Sequence, residues 1–173
     1  MADLPQFLTI ARNLDAPSRR ELFARWILVG LIVAMAIAAL LNVFGQEERF
    51  DRTVASGARL EVAAPTAVRG GLFFQGRFTI TSSRDIENAT LVLDRGWTEG
   101  MHINTIEPAP VGEASRGGRL ALDFGHVAPG DVLVAYLQFQ VNPTNIGRRS
   151  QDVELFDGER LLASVDRTVT VWP

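Results

Sequence analysis

Hydrophobic and polar positions follow two regimes along the chain. From Trp26 to Phe44 it reads WILVGLIVAMAIAALLNVF, nineteen residues in which Asn42 is the single strongly polar side chain. At about 1.5 Å of rise per residue, a helix over this run spans roughly 28 Å, close to the hydrocarbon thickness of a bilayer. The run predicts a transmembrane helix, because a fully apolar helix in a soluble protein must be surrounded by other elements and the chain holds too little further helix. Ahead of it, Ser18-Arg19-Arg20-Glu21 matches a capping box and Pro17 precedes a helix start, so the helix is expected over 19–45 with its apolar part at 26–44. Residues 1–18 form a short tail.

Residues 46–57 are polar, lack helical periodicity and are expected to form a solvated stalk. Beyond Gly57 the period becomes two. Arg59 to Val62 and Phe74 to Thr81 alternate apolar and polar residues, as a sheet with one wet face requires. Further strands are predicted at Thr90 to Asp94, Met101 to Ile106, Arg119 to Phe124, Asp131 to Val141, Asp152 to Phe156 and Glu159 to Trp172. Turn pairs separate nearly all of them: Arg95-Gly96, Gly117-Gly118, Pro129-Gly130, Asn142-Pro143 and Asp157-Gly158. Asp157-Gly158 predicts a two-residue hairpin, since both residues tolerate positive φ. Along the longest strand, Leu133, Ala135, Leu137, Phe139 and Val141 mark an inward face. The other face is itself half apolar, which predicts a central position and a partly covered outer side.

Seven to eight short strands with no amphipathic helix between them give an all-β fold, an antiparallel β-sandwich over 58–173. From Val127 onward the succession of a Pro-Gly turn, a long strand, an Asn/Gly loop, a hairpin and a Val/Thr-rich last strand resembles the end of bacterial extracytoplasmic immunoglobulin-like domains. The resemblance covers roughly the final quarter of the chain and carries no catalytic motif. It implies an immunoglobulin-like scaffold for display or adhesion and names no ligand.

Charge sets the direction of the helix. Arg12, Arg19, Arg20 and Arg25 precede the span, whereas Glu47 and Glu48 follow it, so the N-terminus is expected in the cytoplasm and the sandwich outside. Ala36-Ile37-Ala38 offers the small-x-small pattern of a signal-peptidase site. The apolar run continues through Leu40, Leu41, Val43 and Phe44, beyond the usual h-region of about 7 to 15 residues, which favours an uncleaved anchor. All 17 basic residues are Arg and none is Lys, a usage that suggests a GC-rich bacterial genome. The net charge of −3 argues against nucleic-acid binding. Without cysteine there is neither a disulfide nor a thiolate metal site, and the 128 residues after Gly45 must be held by an apolar core.

Candidate chemistry is sparse. His102 and His126 belong to no metal-ligand spacing, no G-x-S-x-G elbow occurs, and GEASRGG at 112–118 lacks the G-K-[ST] of a phosphate cradle and reads as a flexible loop. No enzyme, metal or cofactor is expected. Two features point to binding. Gly30, Ala34, Ala38 and Asn42 recur at i+4 spacing, a small-residue face with an interhelical hydrogen-bonding group, suited to packing against another membrane helix or a second copy. Trp97, Met101 and His102 lie in a loop beside a sheet and can anchor a partner; alternatively Trp97 plugs the end of the sandwich or packs between the sheets. The expected function is a single-pass accessory protein that partners another membrane protein. The alternative is an anchored domain binding a cell-envelope small molecule or polysaccharide through an aromatic groove.

Overall fold

The computed structural model describes residues 19–41, 43 and 46–173, and the chain divides into two units, residues 1–45 and 46–173. In the first, helix α1 (Arg19–Leu40) runs for 22 residues and none of them is buried. The capping residue Ser18 and Asn42 lie outside the described residues.

The second unit is antiparallel β throughout except for one parallel pair. Its first five-stranded sheet contains β1 (Glu48–Ala55), β2 (Ala58–Pro65), β4 (Phe73–Ser82), β9 (Val132–Val141) and β6 (Met101–Glu107), in the spatial order β1-β2-β4-β9-β6. The second follows the order β12-β11-β5-β8-β7, formed by β12 (Arg160–Val165), β11 (Val153–Asp157), β5 (Ala89–Leu93), β8 (Arg119–Asp123) and β7 (Gly112–Arg116). A three-stranded ribbon, β10 (Gly147–Ser150), β13 (Thr168–Trp172) and β3 (Ala67–Arg69), completes the fold, with β13 and β3 parallel.

One core joins all three sheets. Leu60, Phe78, Ile80, Leu137 and Phe139 from the first pack with Leu91, Leu93, Leu122 and Leu155 from the second and with Val68, Val169 and Val171 from the third, all buried. The sandwich layers follow from the period-two patterns, since each such strand offers one apolar face and the two sheets bury those faces against each other. β9 is central, flanked by β4 and β6, and its inward residues Ala135, Leu137, Phe139 and Val141 are buried. Its outer side is partly covered, as expected: Val134 and Gln140 are half-buried, while Val132, Tyr136 and Gln138 are exposed. The expected hairpin is present, with β11 paired directly to β12, but its turn is shifted by one residue: Asp157 ends β11 opposite Arg160, and Gly158 (φ +57°) and Glu159 make the two-residue turn.

Among the described residues thirteen strands stand where seven to eight were expected. The stalk is one correction. Glu48–Ala55 is strand β1, registered along its whole length on β2, so the domain begins at about residue 46. As an edge strand it is held by its ladder, and its largest apolar side chains, Phe50 and Val54, face solvent, so no inward apolar row announces it. The loop at 112–118 is the second. Gly112–Arg116 is β7, joined to β8 by Gly117 and Gly118 at φ +61° and +76°. The last predicted strand is the third: it breaks at Asp166-Arg167 into β12 and β13, which belong to different sheets. There the Arg167 side chain turns inward to the carbonyls of Ala64 and Pro65, while its backbone N–H donates to Asp152 Oδ1.

Candidate functional site

The loop expected to meet a partner is built into the core. Arg95–Trp97 forms a single 3-10 turn, and Trp97 is fully buried. Its indole lies against Phe74, Phe78 and Phe139, with centroids at 6.5, 5.3 and 5.1 Å, and its Nε1–H donates to the Gln151 carbonyl at 2.9 Å. Met101 is also buried, and the Gln151 amide reaches its sulfur. Two of the three expected anchors are therefore core residues, and Trp97 takes the alternative role, a buried side chain packed on β4 and β9. His102 alone is exposed, on edge strand β6.

The close approach that lets the indole enter depends on Gly96. A Cβ at Gly96 would lie 1.8 Å from the Ser150 carbonyl oxygen, and backbone cannot yield that space. Gly96→Ala is expected to cost about 3 kcal/mol as overpacking, measured as a lowered urea midpoint at unchanged slope.

Above the indole lies a buried cation. The Arg167 guanidinium carbon is 5.1 Å from the Trp97 ring centroid, Nη2 donates to Ala64 O at 2.9 Å and to Pro65 O at 3.2 Å, and Nε is 3.5 Å from Asp51 Oδ2. Burial pushes its pKa below the usual arginine value, with Asp51 acting in the opposite sense. Arg167 thus ties β1 and β2 to the start of β13, a structural role.

A shallow cleft of about 360 Å³ lies on the outer side of the second sheet. Thr90, Gly112, Ala114 and Ala121 line it with small side chains, and Glu113, Asp123, Arg116 and Glu159 add charge. The charged groups are largely committed to one another. Arg116 lies 3.9 Å over the Phe156 ring, donates to Gly158 O at 2.9 Å and pairs with Glu159. Asp123 Oδ1 accepts the Gly125 N–H at 2.8 Å. Next to it, Arg119 pairs with Glu154 at 2.8 Å, and this hydrogen bond raises the guanidinium pKa. Such a rim can hydrogen-bond a polar ligand; its lining includes no aromatic platform for sugar rings. Sequence reasoning missed the cleft because its residues come from strands and turns far apart in the chain. The Gly117-Gly118 pair between GEASR and RLALD was the one available signal of the β7–β8 hairpin.

Elsewhere, His126 Nε2 is 2.7 Å from Asp85 Oδ1 on the surface. Among the described residues no group of three or more His, Asp or Glu is placed to hold a metal. On α1, Gly30, Ala34 and Ala38 keep their i+4 line, and nothing lies within 4 Å of where a Gly30 Cβ would be.

No family model matches the chain, and no curated protein matches it. Among solved structures it is similar to a non-cellulosomal cohesin from the hyperthermophilic archaeon Archaeoglobus fulgidus, at 14% identity and a TM-score of 0.40, covering 73% of this chain and 92% of that one. It is similar to the third cohesin ScaC of Acetivibrio cellulolyticus, solved with the ScaB dockerin, at 13% identity and a TM-score of 0.40 over 62% of this chain and 94% of that one. The alkylpurine DNA glycosylase AlkC of Pseudomonas fluorescens, solved on DNA, matches at 14% identity and a TM-score of 0.34, over 77% of this chain but 32% of that chain's length. Likenesses of this strength carry nothing into the functional reading.

Proposed function

We propose that the chain is a single-pass membrane protein with its N-terminus in the cytoplasm and its β-sandwich outside, acting by recognition of another membrane protein and not by catalysis. One observation carries this reading: α1 is an apolar 22-residue helix with no buried residue among the described residues. Exposed apolar surface on that scale is stable in lipid and costly in water. The charged residues of the helix, Arg19, Arg20, Glu21 and Arg25, all lie near its start, and the arginines favour retention on the cytoplasmic side. The line of Gly30, Ala34 and Ala38 supports lateral association, because small side chains let a second helix approach closely. The sandwich is held by its own core and needs no partner to bury it.

Because the chain has no cysteine, introduced thiols report topology without background. With Asp131→Cys, a membrane-impermeant maleimide is expected to label intact spheroplasts; with Arg12→Cys, labelling is expected only after lysis. The reverse result would place the sandwich inside and overturn the reading. Purified from mild detergent, the wild type is expected to bring a membrane protein with it that Gly30→Leu does not. Recovery of the wild type alone in every detergent would remove the accessory role.

A further inference from the structure

Each of the three sheets ends in two edge strands: β1 and β6, β12 and β7, β10 and β3. An open edge is a template for a further strand, and proteins blunt it by keeping edge strands short or irregular. β7, β10 and β3 are five, four and three residues long, and the ladders of β6 and β12 are each interrupted by a register shift. β1 is different. It runs for eight residues in unbroken register with β2 and contains neither proline nor glycine.

The turn after β1 fixes which of its backbone groups look outward. Ser56 and Gly57, at φ +52° and +78°, make a two-residue hairpin between Ala55 and Ala58, and the residues flanking such a turn exchange both hydrogen bonds. Alternation along the ladder gives residues 49, 51, 53 and 55 to β2. The N–H and C=O groups of Glu48, Phe50, Arg52 and Val54 therefore face the open edge, and the side chains of these four are exposed. A second copy of β1, arriving antiparallel about a two-fold axis, must match even-numbered residues with even-numbered ones, which leaves few registers. Centring the pair on Arg49, Asp51 or Arg52 sets two like charges directly opposite, and centring it on Thr53 leaves every charge unmatched. Centred on Phe50, the order Glu48-Arg49-Phe50-Asp51-Arg52 is self-complementary: Glu48 meets Arg52 of the second copy, Arg49 meets Asp51, and Phe50 meets itself. Charges on an edge ordinarily guard it; this order leaves one register open. Arg49 already approaches Asp51 within its own chain at 3.6 Å, whereas Glu48 and Arg52 make no ion pair among the described residues. Phe50 lies under the Arg77 guanidinium at 5.5 Å and keeps more than half its surface free for a second ring.

We propose that β1 is a dimerisation edge, through which two copies of this chain join their five-stranded first sheets antiparallel about Phe50 into one continuous sheet. The interface belongs to the sandwich and holds whatever α1 packs against.

The test uses the full chain in mild detergent, carrying a donor or an acceptor dye at Asp131→Cys, the sole cysteine. Energy transfer on mixing is expected both with and without Gly30→Leu, which separates this interface from association through α1. Arg52→Glu and Glu48→Arg should each weaken association about 10-fold or more, and the two together should restore it, because the double variant reverses both partners of each pair. Arg52→Glu also sets a carboxylate opposite Glu61 on β2, but the double variant keeps that clash, so its recovery reports the contact between copies. Absence of transfer at every concentration, transfer abolished by Gly30→Leu, or transfer indifferent to Arg52→Glu would overturn the proposal. A double variant as weak as the single ones would overturn it equally.

Discussion

Replacing Trp97 with alanine is expected to cost about 4 to 5 kcal/mol, the largest single loss at any side chain of the domain. The indole is fully buried, touches three phenylalanines, and caps the Gln151 carbonyl through its Nε1–H. Alanine would leave a cavity beside the phenylalanines of β4 and β9 and an acceptor without its donor, and a domain of this size has only roughly 5 to 15 kcal/mol in hand. Trp97→Phe separates the two effects. It refills most of the volume but cannot reach the carbonyl, so about 1 to 2 kcal/mol should be lost. Urea titration followed by the strand signal in circular dichroism measures both; an alanine variant with a wild-type midpoint would show that the indole does not hold the core.

Arg167→Ala is expected to cost about 3 kcal/mol. The side chain is 1% exposed, supplies donors to two backbone carbonyls of β2 and faces Asp51 of β1. Its removal strands Ala64 O, Pro65 O and a partly buried carboxylate together. Arg167→Lys should recover little, because a single ammonium cannot at once take the place of Nη2 between the two carbonyls, present a second nitrogen to Asp51 as Nε does, and lie flat over the indole. Arg167→Met should recover more, since filling the space with an uncharged chain avoids the burial cost of the cation. A lysine variant more stable than the methionine variant in the same urea titration would contradict this account. Because Arg167 and Trp97 touch, the double alanine variant should lose less than the two single losses added together.

The parts of the fold that could be read in advance are those set by local pattern. The apolar run of α1 states its own environment, since nineteen consecutive positions with one polar member suit only lipid or a large core. β9 shows its inward face because every second residue is apolar, and Gly158 marks the β11–β12 hairpin to within one residue because a tight turn needs positive φ that glycine tolerates. By contrast β1, β3, β7 and β10 carry no inward apolar row, and hydrogen bonding to a neighbouring strand is what makes them strands. The break at Asp166-Arg167 was hidden for a related reason: the Val/Thr alternation runs through it, and only the inward turn of Arg167 shows that the chain has changed sheets.

Side-chain direction was the other unreadable quantity. Trp97 sits among Gly, Thr and Glu, the composition of a surface loop, yet Gly96 lets the turn approach the Ser150 carbonyl closely enough to drive the indole inward. The cleft on the second sheet gathers Asn88, Glu113, Asp123 and Glu159, which share no local pattern at all.

By itself the sequence determined that an apolar helix precedes an all-β domain, where the main inward strands lie, and that an apolar core without disulfides must hold it, because these follow from composition and periods of a few residues. The tertiary structure alone decided that the presumed stalk is a strand of the domain and that Trp97 and Met101 belong to the core. Those facts depend on which distant segments pair, and pairing is settled by burial and hydrogen bonding across the whole fold.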